Sequence, residues 1–594
     1  MRTNGSALHI AVIVALWGII YLGNLSSPAL LDDADTVHAE AVREMAAGGD
    51  WVTLHINNGI RYLEKAPFMY WMSAVSISIF GLSDWAMRFP LALFSLLLAL
   101  LCHAFGTRFW GGKAGFYAGV VYVSSLGPFA FTRILLPDVM LSFFMAASFY
   151  FYLQLVYEPD PGKMRLGPLD LRCMGLFASA ALAVLTKGLV GIIFVGAVIL
   201  AHLLVSGRRQ VLGRLQVLPG LAVFLLIAAP WHLAAGLGNE GFYWFYFVNE
   251  HFLRYLGLRF PKDYDRVPVW LFWLLHLAWT FPWVAFAWEA RRHFSGGLRP
   301  ESRDGQICVF LLTWILVILV FFSFSTTQEY YTFPTLAAFA LLLGRTLAGL
   351  EESAGAGTRR SAATGVGVLA AAGVLIGAGL VVLAWMGSGG GAADLSGTLT
   401  VNPEQYALSF GHMHDLTPET FANLAPLVFR TVAFLAVGPL AAFIAASRRR
   451  WKTCAVLLAL TMAGLLHSYQ SGLAAFEPVL SSKDLGEAIM LEYRPGDCIV
   501  VNAVYEKGSS INYYTHQQVS ILNGRNGNLW YGSFFPDAPS IFYDDASFPD
   551  LWNSKKRVFL FSERLPLESL LARHPGLIYR VLAEKGGKKV LVNR

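Results

Sequence analysis

Long apolar segments recur along most of the chain and limit its fold more than any other feature. A helix needs about 17–25 mostly apolar residues to cross a bilayer, and about thirteen segments suit that role if short or broken helices are allowed. After a first span near the N-terminus, they lie at about 86–106, 113–131, 139–157, 173–188, 189–206, 215–235, 269–288, 306–324, 331–349, 363–386, 423–446 and 453–470. Only 14% of the 594 residues are charged, against about 25% in soluble proteins. The sequence therefore predicts an all-α polytopic membrane protein and excludes a soluble multidomain one.

Two apolar segments need separate interpretation. The N-terminal run could be a signal peptide, but its length and the apolar segments after it favour an uncleaved first span. The segment at 67–81 is apolar but short, which favours an interfacial or re-entrant helix over a span.

Alternate loops differ in their Lys and Arg content, which predicts the orientation of the chain. The basic loops lie near 108–113, 163–172, 208–214, 291–303, 359–360 and 448–452. The positive-inside rule places these loops and the N-terminus in the cytoplasm. The loops at 25–85, 236–268 and 388–422, together with the C-terminal tail, then lie outside.

The chain changes character after about residue 470. Short β-branched runs at 497–505, 517–524, 556–563 and 588–594 alternate with apparent helices at 482–493 and 567–574. This pattern predicts a small α/β domain over 471–594, following a membrane domain over 1–470.

The first outer loop, at 25–85, is the segment richest in candidate chemistry. Asp32, Asp33 and Asp35 lie within four positions just beyond the first span, and Glu64 and Lys65 follow later in the loop. A carboxylate at the membrane surface could act as a base towards an acceptor hydroxyl. A nearby Lys could hold a phosphate leaving group. A solvated acidic loop is the alternative interpretation.

A second acidic position lies at the outer mouth of a span. The segment FTRILLPDVMLSFF places Arg133 and Asp138 there, with Pro137 starting the next helix. An ionisable residue at the edge of an apolar run is a candidate for function, although Asp also serves as an N-terminal helix cap. Lys187, between two apolar runs, is interpreted as a snorkelling side chain or a phosphate contact, with the former favoured.

The loop at 238–270 is dense in aromatic residues and ends in basic ones. Glu250, His251 and Arg254 fall at helical spacing within it. Aromatic and Arg side chains at an interface suit a lipid head group and its phosphate, and an ordinary aromatic belt is the alternative.

A polar cluster at 326–334 brings Tyr330 and Tyr331 directly after an apolar run. With the predicted topology, this cluster and all the patches above lie at outer helix ends or in outer loops. Because random placement would scatter them over both faces, one site at the outer membrane–water boundary is predicted.

No cofactor is required by the sequence. Glu64 and His251 could be ligands of one divalent ion, but their spacing does not demand a metal. The five cysteines form no close pair, so a disulfide framework is not expected. The basic residues lie in short loops between apolar runs and do not indicate nucleic acid.

Several motifs in order resemble the bacterial lipid-carrier-dependent glycosyltransferases of the GT-C fold. This family includes the lipid A 4-amino-4-deoxy-L-arabinose transferase and relatives of the protein O-mannosyltransferases. The resemblance is carried by DADTVHAEAVREM, GDWVTLHINNGIRYLEKAPFMYW, TRILLPDVMLSFF, LTKGLVG, APWH, NEHFLRY and EYYTFPTLAAFALLLG, over roughly the first 350 residues.

The resemblance implies a role for each matched position. Asp35 or Asp33 matches the catalytic carboxylate, because the family's Asp-Glu pair reads here as Ala34-Asp35 or Asp35-Thr36. Asp138 matches a second acidic residue of the family. Lys65 and Glu64 match a position beside the carrier phosphate. His251 and Arg254 fall in an EH-x-x-RY stretch, and Tyr330 and Tyr331 near the donor cavity. Val37-His38 replaces an Arg-Tyr pair, so His38 could contact phosphate when protonated.

The resemblance implies an enzyme that moves a sugar from undecaprenyl phosphate to an acceptor on the periplasmic face of a bacterial inner membrane. Inversion at the sugar carbon is expected, and aminoarabinose with lipid A is one donor–acceptor pair. A polytopic transporter or flippase is the alternative, and a non-catalytic scaffold a third. A transporter is expected to have ionisable residues near the bilayer midplane and repeat-related broken helices, and the sequence shows neither. A scaffold would not need the carboxylates and lysine of the first loop.

Overall fold

The computed structural model describes residues 3–158, 160, 162, 164–262, 266–352, 356–387 and 424–594. The outer loop predicted at 388–422 lies outside these residues. Within them, helices make up the N-terminal part and a mixed sheet lies near the C-terminus.

Nine helices in the described part of the chain are long and apolar enough to cross a membrane. They are Gly5–Leu22, Asp84–Trp110, Asp138–Tyr157, Val217–Gly238, Arg303–Ser323, Glu329–Glu352, Arg360–Met386, Ala425–Ser447 and Trp451–Ala475. A tenth span is obtained if Val269–Trp279 and Trp283–Phe294, which meet at 94°, count as one broken helix. The chain is a multi-span membrane protein, as predicted.

The difference from the predicted thirteen spans has a simple geometric origin. The remaining three predicted segments are also helical but shorter: Gly112–Val123 followed by Leu126–Phe131, then Leu171–Lys187, then Val190–Ser206. An α-helix rises 1.5 Å per residue, so helices of 17 residues or fewer fall at or below the lower limit for a span. All thirteen predicted segments are thus helical, and nine of them, or ten with the bent pair, have the length of a full span.

Short helices form parts of the loops that are predicted to lie outside. Phe68–Phe80 is the short apolar helix expected at 67–81. An amphipathic helix in the first loop runs from Ala34 to Gly48. A small hairpin follows it, in which the two-residue strands His55–Ile56 and Ile60–Arg61 pair antiparallel. All three residues of its turn, Asn57, Asn58 and Gly59, have positive φ.

The loop at 238–270 is also partly helical. Trp244–Leu253 forms a π-helix that continues into Arg254–Leu256. A second small hairpin, Arg165–Leu166 with Leu169–Asp170, lies elsewhere on the chain.

The predicted α/β tail forms a six-stranded mixed sheet. All four predicted strands are present, at Cys498–Val501, Val519–Leu522, Val558–Glu563 and Lys588–Val592. Phe542–Tyr543 and Arg580–Lys585 were not predicted, because one has two residues and the other is largely exposed and charged. Across the sheet the order is 542–543, 519–522, 498–501, 558–563, 588–592 and 580–585. The first four are mutually parallel and the last two pair antiparallel.

Helices cover this sheet and connect it to the membrane part. They are Glu477–Leu480, Lys483–Glu492, Ser509–Thr515, Phe548–Trp552 and Arg564–Arg573. The last span ends at Ala475, five residues beyond the predicted boundary. We refer to residues 477–594 as the C-terminal sheet region.

The first loop and the C-terminal sheet region are packed against each other. Asn57 and Val519 exchange two hydrogen bonds of 2.9 and 2.8 Å. Arg61 forms an ion pair with Asp537 at 2.7 Å. The loop is thus held between the spans and the sheet, which positions the site described next.

Candidate active site

A cavity of about 1430 Å³ lies where the spans, the first loop and the C-terminal sheet region meet. Its walls include segments from 28–70, 130–141, 186–194, 246–262, 321–334, 469–480 and 504–588. All eleven residues predicted for the site line this cavity: Asp33, Asp35, His38, Glu64, Lys65, Arg133, Asp138, His251, Arg254, Tyr330 and Tyr331. The structure therefore brings together residues that are separated by up to about 300 positions in the chain.

Asp35 is fully buried and its two oxygens are engaged. Oδ2 accepts hydrogen bonds from Arg88 Nη2 at 2.9 Å and from the Leu31 N–H at 3.3 Å. Oδ1 accepts one from the Leu135 N–H at 2.7 Å. Asp35 and Arg88 form an ion pair inside the protein, so Asp35 ties the start of the loop helix to the span Asp84–Trp110 and to the segment just before Asp138.

Asp32 and Asp33 differ from Asp35 although they are close neighbours in sequence. The carboxylate of Asp32 turns towards the C-terminal sheet region and pairs with Lys588 at 2.8 Å. Asp33 has a φ of 68°, a left-handed conformation that costs a non-glycine residue energy. Its side chain is exposed and lies on the cavity wall. The acidic cluster is therefore divided among three environments.

Asp138 is the first residue of its helix and is buried. Lys187 Nζ donates to both of its oxygens, at 2.6 and 2.8 Å, and lies 4.9 and 5.1 Å from the ring centres of Tyr330 and Tyr331. The preferred interpretation of Lys187 as a snorkelling side chain is wrong, because its ammonium group points into the protein and pairs with a carboxylate.

Glu64 and Lys65 belong to a network of charges. Lys65 Nζ lies 3.5 Å from Glu64, and Arg259 lies 3.2 Å from Glu64 and 2.7 Å from Glu250. Arg254 lies 3.4 Å from Glu250. This arrangement balances the buried acids and leaves Lys65, the more exposed of the cations, on the cavity wall.

His38 is buried beside Tyr70, with 2.7 Å between its Nδ1 and the tyrosine hydroxyl. Burial, with a smaller effect of Lys65 and Lys187, lowers the pKa of His38 to about 3. This lowered pKa does not favour a protonated His38 in place of the family's arginine, and its contact with phosphate stays a prediction. A neutral imidazole can only exchange hydrogen bonds.

His251 lies against Gly188. Its Nδ1 is 2.6 Å from the Tyr246 carbonyl oxygen, and a Cβ on Gly188 would collide with the ring. Burial lowers the pKa of His251 as well. Among the described residues, no group of three His, Cys, Asp or Glu side chains could hold a metal ion, and Glu64 faces Arg259 and Lys65.

Arg133 differs from Lys65, Lys187, Arg254 and Arg259 in the groups that surround its guanidinium. It is 4% exposed, and its Nη2 donates to the carbonyls of Ile20 and Gly23 at 3.1 and 3.4 Å. Its guanidinium carbon lies 4.5 Å from the centre of the Phe129 ring, and no carboxylate pairs with it in the described part of the chain. Burial lowers its pKa to about 10.

Two arginines at the site were not predicted from the sequence. Arg88 and Arg259 are both about 1% exposed. Arg88 lies in WAMRFPLAL, at the edge of an apolar run. The same signal singled out Asp138 and applies equally to Arg88. Arg259 lies in the aromatic loop, where the sequence provides no sign that it, rather than Arg254, is the buried cation.

The fold and the cavity together indicate the class of protein to which the chain is similar. This is an integral-membrane protein of the GT-C glycosyltransferase fold, with a small C-terminal α/β region. The structure of ArnT from Cupriavidus metallidurans bound to undecaprenyl phosphate matches 100% of this chain and 99% of that chain, with a TM-score of 0.79 and 22% identity.

Particular relatives are found by sequence. Residues 64–233 match the family described as dolichyl-phosphate-mannose-protein mannosyltransferase. The undecaprenyl phosphate-α-4-amino-4-deoxy-L-arabinose arabinosyl transferase of Aeromonas salmonicida is 29% identical over 55% of this chain and 57% of its own length. The enzyme of the same name from Pseudomonas aeruginosa is 30% identical over 57% and 59%. The chain thus spans less than two thirds of these relatives, and the resemblance predicted from the sequence is confirmed.

Proposed function

We propose that this protein is a glycosyltransferase that moves a sugar from a polyprenyl phosphate, most simply undecaprenyl phosphate, to an acceptor. The observation that carries the proposal is the single cavity in which carboxylates and cations face each other beside apolar helix surfaces. The names of the relatives point to the same reaction. They describe transferases and therefore favour this reaction over transport.

An apolar wall of the cavity suits a prenyl chain. Leu141, Val190, Ile193, Phe194 and Phe252 line the cavity there. Ile193 and Phe252 are also 42% and 61% exposed on the surface of the protein. A carrier lipid could therefore enter from the bilayer while its phosphate meets the polar half of the cavity.

Cations on the wall would bind the carrier phosphate. Lys65 and Arg254 would offset the charge that develops on the phosphate as it leaves, with Tyr330 and Tyr331 beside the donor. His38 is neutral, so its contribution is a hydrogen bond. His251 shapes the same wall through its contact with Gly188, and Arg133 adds a further cation to the cavity lining.

A carboxylate would prepare the acceptor for direct displacement. The acceptor oxygen forms a bond to the anomeric carbon as the bond from that carbon to the phosphate oxygen breaks, which inverts the carbon. We assign the contact with the acceptor to Asp33, because its side chain is exposed to the cavity. Asp35 positions the segment through Arg88, and Asp138 assists through Lys187. If the acceptor is a phosphate, orientation matters more than proton removal.

The setting proposed for the reaction is the periplasmic face of a bacterial inner membrane. The N-terminus would be cytoplasmic and the C-terminal sheet region periplasmic, in line with the distribution of basic loops. The relatives' names make 4-amino-4-deoxy-L-arabinose the first sugar to test. Lipid A, a protein and another glycan are the acceptors to compare.

The experiment is a transfer assay with purified protein, radiolabelled undecaprenyl-phosphate sugars and a panel of acceptors. Asp33→Asn should lower kcat by about 10²–10⁴-fold with normal unfolding stability. Lys65→Ala should weaken binding of undecaprenyl phosphate. Asp537→Asn, outside the cavity, is the matched control. Absence of any transfer product with the whole panel would overturn the proposal, and near-normal turnover by Asp33→Asn would remove Asp33 from it.

A further inference from the structure

Of the three clustered acids Asp32, Asp33 and Asp35, Asp32 is the one that has no place in the proposed chemistry. Its carboxylate is surrounded by donors from three places in the C-terminal sheet region. Oδ1 accepts from the Ser510 N–H at 2.9 Å and its hydroxyl at 2.7 Å. Oδ2 accepts from the Ser482 hydroxyl at 2.6 Å and from Lys588 Nζ at 2.8 Å. Four donors on one carboxylate make a well-defined anchor.

The backbone next to this anchor is held by the same region. The Asp32 N–H donates to the Leu480 carbonyl at 2.9 Å. The Asp33 N–H lies 2.9 Å from the Glu506 carbonyl and 3.0 Å from the Ser509 hydroxyl. That hydroxyl is also 2.7 Å from Thr36 Oγ1. Segment 32–36 is therefore tied to the C-terminal sheet region by backbone and side chains.

The other end of the segment is tied to the spans. Asp35 bonds to Arg88 and to the Leu135 N–H, as described above. Asp33 lies between these two attachments in a left-handed conformation, φ 68°. Such conformations persist only where the surroundings impose them. Among the attachments that come from the C-terminal sheet region, Asp32 supplies the side-chain ion pair.

We infer that Asp32, Ser510 and Lys588 form a positioning device that sets the direction of the Asp33 carboxylate. This inference rests on the proposed function, because it assigns to the C-terminal sheet region a part in the same site. The region completes the geometry of the acidic segment. Misplacement of a reacting group by about 1 Å can cost about 10²-fold in rate.

Substitutions within one interface test this inference. Asp32→Asn and Lys588→Met remove the charge pair, while Lys588→Arg keeps it. Asp537→Asn is the matched control, since it breaks a different ion pair between the same two parts of the protein, Arg61–Asp537.

We expect Asp32→Asn and Lys588→Met to lower kcat by about 10–100-fold with an unchanged KM for the carrier-linked sugar. Lys588→Arg should recover most of the rate. Asp537→Asn should keep the wild-type kcat. If the loss of kcat were proportional to the loss of unfolding stability in all variants, Asp537→Asn included, Asp32 would be a structural contact only. That result would overturn the inference.

A second measurement does not depend on transfer. Backbone hydrogen exchange should become faster at Asp32 and Asp33 in Asp32→Asn and Lys588→Met, and stay unchanged there in Asp537→Asn. Unchanged exchange in the first two variants would contradict the inference. A wild-type protein without transfer activity, but with the expected exchange pattern, would instead contradict the proposed function and leave the positioning intact.

Discussion

Arg88→Met is the substitution with the clearest expected consequence. Arg88 is 1% exposed and Asp35 fully buried, and the guanidinium also donates to the carbonyls of Leu25, Pro28 and Ala29. Removing one partner of a buried ion pair leaves an uncompensated charge and costs about 3–5 kcal/mol. We therefore expect the free energy of unfolding to fall by about 4 kcal/mol.

The double variant Arg88→Met/Asp35→Asn separates the charge from the packing. Asparagine keeps an oxygen for the Leu135 N–H but carries no charge. The double variant should recover about 1–3 kcal/mol of the loss, a coupling typical of residues in contact. The measurement is reversible unfolding in mixed micelles, at neutral pH and constant detergent composition.

Arg573→Met is the matched control for this experiment. Arg573 pairs with Asp545 at 3.0 Å, but both side chains are more than 40% exposed. Water screens such pairs, so the expected loss is below about 1 kcal/mol. A loss of that small size for Arg88→Met, or additive losses in the double variant, would refute the reasoning that Asp35 and Arg88 stabilise the site as a buried pair.

Three further predictions concern other parts of the cavity. The pKa of His38 is lowered to about 3. Between about pH 6.5 and pH 3 the unfolded state therefore binds a proton at this histidine that the folded state does not bind. The free energy of unfolding falls as the pH decreases through this range. His38→Gln should remove about 2 kcal/mol of this loss at pH 5, which unfolding at pH 7 and pH 5 would measure; equal pH dependence of both proteins would contradict it. Lys187→Met should destabilise by about 3–5 kcal/mol, because Asp138 would stay buried without its cation, and Lys187→Arg is the control. Gly188→Ala should destabilise by about 1–3 kcal/mol, since Gly188 has a φ of 73° and a Cβ would strike His251; a stability equal to wild type would show that this contact relaxes freely.

The sequence was a good guide to elements whose signal is local. Apolar length identified the helices, and β-branched runs identified four of the six strands in the sheet. It was a poorer guide to span number, since helices such as Leu171–Lys187 and Val190–Ser206 are apolar but short. Apolar content reports burial in lipid or in protein alike, whereas crossing a bilayer also requires length.

The site could be predicted as a set of residues because ionisable groups beside apolar runs are costly and therefore conspicuous. Their partners could not be predicted in the same way. Arg88 and Lys187 pair with acids 53 and 49 positions away, and such distances in sequence carry no periodic signal. The direction of an ammonium or guanidinium group is decided by the nearest buried acid, which only the fold supplies.

The sequence by itself determined that the chain is an α-helical membrane protein with an α/β tail, and which residues could meet at one end of it. Tertiary structure decided what each acid does. Asp32, Asp33 and Asp35 are chemically identical and nearly adjacent, yet one binds the C-terminal sheet region, one faces the cavity and one is buried with Arg88. The physical reason is that a carboxylate takes its role from solvent exposure and neighbouring charges, and both are properties of the folded protein.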